Sequence, residues 1–225
     1  MAAYITQMRS YGQYCGLARA LDLVGERWTL LIVRELLMGP RRYTDLHRGL
    51  PGIATNLLAT RLADMEEAGL LVREEAPPPV ATTLYRLTPR GEELRPVIEA
   101  LGRWARPLMA QGIKGDAFRA EWLTLPAQLY LTDREPNRAP TVIEVRAGDR
   151  PVVVEACGGA VRTRMGPAED PDAVITARPD VALALLLGRI DLATARARGL
   201  ELEGNPRVLR RFKPVSEQSA SARDS

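Results

Sequence analysis

The stretch RRYTDLHRGLPGIATNLLATRLADMEEAGLL, residues 41–71, decides the fold of the first half of the chain. Leu46 and Leu50 predict a short amphipathic helix that begins at Thr44, and Pro51-Gly52 breaks it. A second helix is predicted from about Thr55 to Ala68, ended by Gly69, with four side chains facing inward: Leu57, Leu58, Leu62 and Met65. Two short helices joined by a tight turn that contains glycine form a helix-turn-helix.

The polar side of the second helix offers Thr55, Asn56, Thr60 and Arg61. In the major groove of DNA, arginine pairs with guanine, asparagine pairs with adenine, and threonine contacts the thymine methyl group. Ala54 stands where a capping side chain is expected, so Thr55 is predicted to take over as the cap at the expense of a base contact. The helix is therefore predicted to read DNA bases.

The neighbouring segments complete a winged helix. Residues 16–24 and 27–38 predict two preceding helices, the second ended by Gly39-Pro40. The runs LLVREEA and TTLYRLT predict two strands of a wing hairpin around PPPVA. Thr88 is expected to cap a long helix, with Pro89 at its first position and Glu92 in the capping box. That helix carries one apolar stripe: Leu94, Val97, Ile98, Leu101 and Trp104.

Basic side chains near the helix-turn-helix are candidates for contacts with the DNA backbone, which position a protein without reading sequence. The candidates at the first helix are Arg41, Arg42, His47 and Arg48, and the neighbouring Thr44 is also predicted to contact DNA. The wing tip, residues 76–82, has no basic side chain, so Arg73 or Arg86 would have to supply the usual arginine of a wing.

Three stretches of this half resemble the HxlR family of MarR-type winged-helix regulators: CGLARALDLVGERWTLLIVRELLMGPRRYTDL, GIATNLLATRLADMEEAGLL and LYRLTPRGEEL. The resemblance covers roughly residues 13–106 and implies a homodimer that binds operator DNA, with the recognition helix beginning near Thr55. It places the dimer contacts around Leu17–Leu21 and Leu94–Trp104. Cys15 matches the cysteine through which several HxlR proteins sense oxidants or electrophiles; a packed side chain at the dimer interface is the alternative.

The second half differs in composition, with short valine-rich runs broken by glycine. TVIEVRAG, RPVVVEACGG and AVRTRMG predict consecutive antiparallel strands, PDAVITARP predicts another strand, and LPAQLYLTD is compatible with a strand or a helix. Helices are predicted from Pro179-Asp180 and over Ile190 to Ala197, and LELEGNPRVLRRF predicts a last strand and a terminal helix.

Residues 172–212 resemble the sterol carrier protein type 2 family, and residues 120–171 do so loosely. The resemblance implies an open sheet covered by helices around an apolar tunnel for hydrophobic molecules. The candidate pocket residues are Trp122, Leu125, Tyr130, Val145, Val154, Leu187, Ile190 and Leu202. An ordinary apolar core without a ligand is the alternative.

Composition limits the remaining classes of function. The net charge is only +3 over 225 residues, so charge alone gives little support for DNA binding. No apolar run reaches the length of a transmembrane helix and no signal peptide is recognised, which predicts a cytoplasmic protein without a membrane partner. Two cysteines, Cys15 and Cys157, and the single histidine, His47, do not form a metal site. No catalytic constellation is found, so neither an enzyme nor a cofactor is expected.

The sequence therefore predicts an α+β protein with a winged helix-turn-helix at residues 1–112, a sterol-carrier-like domain at residues 118–213 and a disordered tail at 214–225. The leading hypothesis is a homodimeric transcriptional regulator of double-stranded operator DNA that responds to a hydrophobic small molecule. One alternative is a thiol-based redox or electrophile sensor acting through Cys15. The other is a lipid-binding carrier whose helical half serves only to dimerise.

Overall fold

The computed structural model describes residues 10–75, 82–105, 107–108 and 116–214. The chain folds as two compact units, Met1–Gly102 and Arg103–Ser225. The segments 76–81, 109–115 and 215–225, which include most of the predicted wing tip and tail, lie outside the described residues. Pro214 is described as the end of a strand.

The first unit is a winged helix-turn-helix, as the sequence predicts. Its elements are α1 (Gly16–Val24), α2 (Thr29–Leu36), β1 (Arg41–Arg42), α3 (Tyr43–Gly49), α4 (Thr55–Glu67), β2 (Leu71–Glu75), β3 (Thr83–Leu87), α5 (Pro89–Glu92) and α6 (Arg95–Trp104). The three strands form an antiparallel sheet in the order β1-β3-β2. The fully buried side chains of this unit include Ile32, Val33, Leu46, Leu50, Leu58, Met65, Leu71 and Leu87.

Two helices of the first unit have boundaries that differ from the predicted ones, and backbone conformation explains both differences. Trp28 adopts a left-handed conformation with φ of 84°, so α2 begins at Thr29 and not at residue 27. The predicted long helix after Thr88 is two helices, α5 and α6, separated between Glu92 and Arg95. Pro96 explains the break, because its nitrogen cannot donate to a helical carbonyl and its ring crowds the preceding turn.

The start of α5 shows how the wing is joined to the helix that follows it. The Thr88 hydroxyl accepts the Gly91 N–H at 3.1 Å, with Pro89 at the first helical position, as predicted. The predicted capping box with Glu92 is wrong, because the third helical position is Gly91. The backbone N–H of Thr88, which a capping box would satisfy, donates instead to the carbonyl oxygen of Leu70 at 3.0 Å.

The second unit is a five-stranded sheet covered by helices. A 3₁₀ helix (Ala120–Leu123) leads into α7 (Thr124–Tyr130), and the remaining elements are β4 (Leu131–Asp133), β5 (Thr141–Arg146), β6 (Val152–Cys157), β7 (Ala160–Met165), β8 (Ala173–Thr176), α8 (Pro179–Leu186), α9 (Leu192–Ala197), β9 (Glu201–Gly204), a 3₁₀ helix (Pro206–Arg211) and β10 (Phe212–Pro214). The strand order is β7-β6-β5-β8-β9, and β10 pairs with β4.

The strand predictions for this unit are confirmed with two refinements. The pairs β5–β6, β6–β7 and β8–β9 are antiparallel, but β5 and β8 run parallel, so the sheet is mixed. The segment LPAQLYLTD is both α7 and β4, and the predicted terminal helix is a 3₁₀ helix followed by β10.

A buried ion pair fastens the end of the described chain to the sheet. Arg211 Nε donates to Asp133 Oδ1 at 2.7 Å, and the Arg211 guanidinium also donates to the hydroxyl of Thr141 and to the carbonyl oxygen of Ala139. Asp133 accepts a further backbone N–H from Gly159. The Arg211 side chain beside it lowers the pKa of Asp133 to about 2. The pair and its hydrogen bonds therefore join β4, the 3₁₀ helix before β10, the start of β5 and the β6–β7 hairpin.

Candidate nucleic-acid interface

The turn between α3 and α4 sets the direction of the second helix. Gly52 has φ of +87°, a conformation that side chains other than glycine rarely adopt. Ile53 is buried beyond the turn, and the Tyr43 hydroxyl donates to the carbonyl oxygen of Thr55 at 2.6 Å. The first turn of α3 is thereby tied directly to the first turn of α4. Tyr43 is not among the residues predicted from the sequence, because a tyrosine next to a predicted helix carries no signal of its partner.

One side of α4 is exposed from Thr55 to Ala63, and Glu67 continues that side at the C-terminal end of the helix. This side carries Thr55, Asn56, Ala59, Thr60 and Ala63, which together are called the α4 stripe. At about 3.6 residues per turn these positions share one face. The opposite face holds Leu58, Leu62 and Met65, which are buried as predicted, whereas Leu57 is half-buried.

The side chains of the α4 stripe are small and neutral. The Thr60 hydroxyl donates to the carbonyl oxygen of Asn56 at 3.0 Å, and the Asn56 side-chain oxygen accepts the Leu57 N–H at 2.9 Å. Ala54 holds the position before the helix and offers no side-chain hydrogen bond, so Thr55 is the first residue of α4. The prediction that Thr55 caps the helix is therefore wrong. Thr55 is available at the exposed start of the helix.

Arg61 lies away from the α4 stripe. Its position is about half a turn from the stripe, on the side of the helix adjoining Leu58 and Met65. Its Nη2 pairs with Glu26 Oε2 at 2.7 Å and its Nη1 with Asp64 Oδ2 at 2.8 Å, and only 18% of the side chain is exposed. The structure therefore gives Arg61 two partners within its own unit, and it does not group Arg61 with Thr55, Asn56 and Thr60.

The candidate DNA-binding side chains around α3 separate into two groups. Arg41 is buried in the short strand β1, with Nη2 at 3.9 Å from the sulfur of Met38. Arg42, Thr44, His47 and Arg48 are exposed. The structure therefore does not present Arg41 for the predicted phosphate contact, and it leaves the other four side chains at the surface.

Both basic side chains of the wing strands are paired with glutamates. Arg73 Nη2 lies 2.6 Å from Glu66 Oε2, and Arg86 binds Glu74 through Nε and Nη2. Hydrogen bonding to Arg86 lowers the pKa of Glu74. Such exposed pairs contribute about 0–1 kcal/mol to stability, so a phosphate could replace the carboxylate at little cost.

Cys15 stands just before the first residue of α1 and is exposed. The backbone amides of Ala18 and Leu17 lower the pKa of its thiol. The other cysteine, Cys157, is half-buried at the end of β6. Within residues 10–75, 82–105, 107–108 and 116–214, no group of histidine, cysteine and carboxylate side chains is arranged to hold a metal ion.

The predicted pocket residues of the second unit are only partly brought together. Val145 and Val154 are fully buried in the apolar cluster on the helix side of the sheet, and Leu187, Ile190 and Leu202 pack against it. Trp122, Leu125 and Tyr130 are outside that cluster, which takes a different set from their segment: Ala120, Leu123, Ala127 and Leu131. The structure therefore brings five of the eight predicted residues together and leaves Trp122, Leu125 and Tyr130 outside the cluster.

Comparison with known proteins matches each half of the chain separately. Residues 23–112 match the HxlR-like helix-turn-helix family, and residues 131–217 match the SCP-2 sterol transfer family. An uncharacterized HTH-type transcriptional regulator of Synechocystis sp. strain PCC 6803, sll1512, is 37% identical over 90 residues, which cover 40% of this chain and 67% of that protein. YvaP of Bacillus subtilis, another uncharacterized HTH-type transcriptional regulator, is 32% identical over 87 residues, 39% of this chain and 81% of that protein.

Among solved structures, the reduced form of the transcriptional regulator YodB from B. subtilis is 29% identical, with a TM-score of 0.39. The match covers 45% of this chain and all of that chain. In the part of the chain that the structure describes, no helix is long and apolar enough to cross a membrane.

Proposed function

The chain belongs to the HxlR-like helix-turn-helix family, and from that premise we propose that it is a homodimeric, sequence-specific transcriptional regulator of double-stranded DNA. The observation that carries the proposal is the α4 stripe, an exposed neutral face of the second helix of a helix-turn-helix. A helix placed in this way enters the major groove with the side chains at its N-terminal end nearest the bases. We further propose that it acts in the cytoplasm and is not an enzyme.

The side chains of the stripe suit particular bases. Asn56 has the amide that pairs with adenine, and Thr55 and Thr60 offer a hydroxyl group and a methyl group that fits against thymine. Arg42 and Arg48, exposed at α3, are suited to phosphate contacts that fix the position of the helix. We therefore expect a preference for A·T pairs where α4 meets the groove.

Exposed apolar side chains support a homodimer. On α1, Leu17 is 68% exposed and Leu21 is 38% exposed. On α6, Val97, Leu101 and Trp104 are 43%, 46% and 77% exposed, although they share an apolar stripe. Large apolar side chains exposed in series on a helix favour a partner surface. A two-fold dimer would present two recognition helices to successive turns of the major groove.

We also propose that the second unit binds a hydrophobic small molecule that regulates DNA binding. The match to the sterol transfer family and the apolar cluster between sheet and helices support this assignment. A ligand changes the affinity for DNA only if it binds one conformation of the dimer better than the other, and such coupling is typically about 1–3 kcal/mol.

The test is DNA selection with the full chain followed by a substitution in the stripe. A duplex is selected from a random-sequence library, and its affinity is compared with that of single-base variants by fluorescence anisotropy. Asn56→Ala is expected to weaken binding by about 1–3 kcal/mol and to abolish the preference at one base pair. Glu67→Gln, an exposed change at the far end of α4, is the control and should leave the preference intact. An unchanged preference in Asn56→Ala would contradict the proposed readout.

A second candidate function, a thiol-based sensor, is favoured by Cys15. Its thiol is exposed and has a lowered pKa, which increases the reactive thiolate fraction. In that case diamide or a quinone should release wild-type protein and Cys157→Ser from the selected duplex but should leave Cys15→Ser bound. Release of Cys15→Ser by the same oxidant would eliminate this function.

A further inference from the structure

The last quarter of the second unit carries an unusual set of cations. Residues 189–213 contain seven basic and three acidic residues. Six of the basic side chains are exposed and form no ion pair with any residue that the structure describes; together they are called the cationic surface: Arg189, Arg196, Arg198, Arg207, Arg210 and Lys213. The seventh, Arg211, is the buried partner of Asp133.

Other exposed arginines of the same unit do have carboxylate partners. Arg138 pairs with Glu135 at 2.9 Å, and Arg178 pairs with Asp180 at 2.7 Å. Arg146, exposed on β5, pairs with Glu144 at 2.6 Å. Arg134, Arg150 and Arg162 are also exposed and form no ion pair with any described residue, so unpaired cations are not confined to residues 189–213. What distinguishes this stretch is its charge balance, with seven basic residues against three acidic ones.

The cations lie on elements that adjoin one another. Arg207 and Arg210 are three residues apart in a 3₁₀ helix, where side chains at that spacing project on the same side. The 3₁₀ helix leads directly into β10, and β10 packs against α8, which in turn packs against α9. Gly188 lies against the ring of Pro214, so that Arg189 and Lys213 flank one contact.

The acidic residues of this stretch do not neutralise the cationic surface. Asp191 is occupied at the start of α9, where it accepts the Thr194 N–H at 2.7 Å. Glu201 and Glu203 lie on β9, the edge strand of the sheet. The surplus of positive charge on these adjoining elements attracts an anion.

The chemistry of this surface fits a polyanion better than a bilayer. Membrane-surface binding combines cations with exposed apolar side chains. Among the described residues, the large exposed apolar side chains all lie outside residues 116–214. Arginine, which provides five of the six charges here, binds phosphate oxygens through two parallel hydrogen bonds.

We propose that the cationic surface binds the phosphate backbone of DNA and adds sequence-independent affinity to that of the recognition helix. The inference rests on the proposed function, because it assumes that DNA is the protein's partner. Neutralising a phosphate group releases counterions, so each neutralised phosphate gives the affinity a steeper dependence on salt. The second unit would then contribute to DNA binding directly, besides holding a ligand.

The experiment compares two full-length variants with the same change in net charge. The first replaces Arg196, Arg198, Arg207 and Arg210 with glutamine. The control replaces four exposed arginines of the same unit that already have protein partners: Arg138, Arg146, Arg164 and Arg178. Anisotropy titrations use the selected duplex and a scrambled duplex at several salt concentrations, after circular dichroism has shown that both variants are folded.

The first variant is expected to bind both duplexes at least tenfold more weakly, with the ratio between the duplexes unchanged. Its plot of log affinity against log salt should become shallower by about 0.9 for each phosphate that the variant no longer neutralises. The control should retain nearly the wild-type slope. A wild-type slope in the first variant, or an equally weakened control, would overturn the proposal.

A vesicle arm separates DNA from a lipid surface. Both proteins are sedimented with vesicles of phosphatidylserine and phosphatidylcholine. If the vesicles capture the wild type and not the first variant, while the salt dependence of DNA binding is the same in both, the surface binds anionic lipid and the proposal is overturned. Failure of the proposed function has a different signature, since Asn56→Ala would then leave the sequence preference intact. A reduced slope in the arginine variant would still support phosphate binding in that case.

Discussion

Replacing Arg61 with alanine distinguishes two roles for the arginine of the recognition helix. If Arg61 reads a guanine, the substitution should remove discrimination at one base pair. The structure favours another result, because the Arg61 guanidinium is held by Glu26 and Asp64 and lies away from the α4 stripe. A base contact would require it to leave both carboxylates. We therefore expect Arg61→Ala to lower the free energy of unfolding and to leave the sequence preference unchanged.

The expected decrease in stability follows from what Arg61 contacts. Glu26 is 52% exposed and the ion pair with it is open to water, so that pair contributes about 0.2–1 kcal/mol. The pair with Asp64, three residues along the same helix, contributes about 0.2–0.5 kcal/mol. Arg61 is itself mostly buried, and its methylene groups contribute up to about 0.8 kcal/mol each. We expect a total decrease of about 2 kcal/mol.

Urea denaturation measures that decrease, and a double-mutant cycle with Glu26→Gln isolates the pair. The coupling between the two positions should be about 0.5–1 kcal/mol and should shrink at high salt, since Glu26 is exposed. Anisotropy with the selected duplex and its single-base variants measures preference in the same proteins. A scaffold role for Arg61 is refuted if Arg61→Ala keeps the wild-type stability and loses discrimination at a single G·C pair.

Three further predictions concern the scaffold. Arg211→Ala should lower the free energy of unfolding in urea by about 3–5 kcal/mol, because it leaves the Asp133 carboxylate buried without its partner; a decrease below about 1 kcal/mol would show that the pair is solvated. The pKa of Asp133 is about 2 when folded against an ordinary value of 3.8, so the stability it contributes is complete above about pH 5 and is lost as the pH falls through 4 toward 2. Between pH 6 and pH 2, urea titrations of the wild type should show a loss of about 2 kcal/mol in the free energy of unfolding, and Arg211→Ala should show a smaller loss. An equal loss in the wild type and in Arg211→Ala would contradict the role given to the ion pair. Gly91→Ala would bring a methyl group into collision with the carbonyl oxygen of Leu70, so the melting temperature should fall by several degrees, and an unchanged value would mean that α5 can move away without cost.

The helix-turn-helix could be predicted because its signals are local. Leu46, Leu50, Leu58 and Leu62 repeat at helical spacing, and all four are buried. Pro51-Gly52 stops one helix and allows the positive φ that turns the chain into the next. Each of these effects acts within a few residues along the chain. The two helices of the helix-turn-helix and the turn between them therefore follow from the sequence alone.

Which side chains of a short apolar segment join the core could not be predicted from residue types. The segment around Trp122 has apolar side chains on more than one side. The structure buries Ala120, Leu123 and Ala127 in the apolar cluster, whereas Trp122, Leu125 and Tyr130 are half-buried. Burial on a short helix is decided by which face packs, and a short segment leaves that face ambiguous when both sides are apolar.

Arg61 shows where periodicity would have been enough and where it would not. Because Leu58, Leu62 and Met65 face inward, Arg61 falls beside them on the helix, and the same spacing that predicts the core separates it from Asn56 and Thr60. The partner of Arg61 could not be predicted in this way, because Glu26 is 35 residues away in the sequence and no local rule connects the two residues. A polar residue on a recognition helix is therefore a candidate for base contact only after its angular position has been compared with that of the buried face.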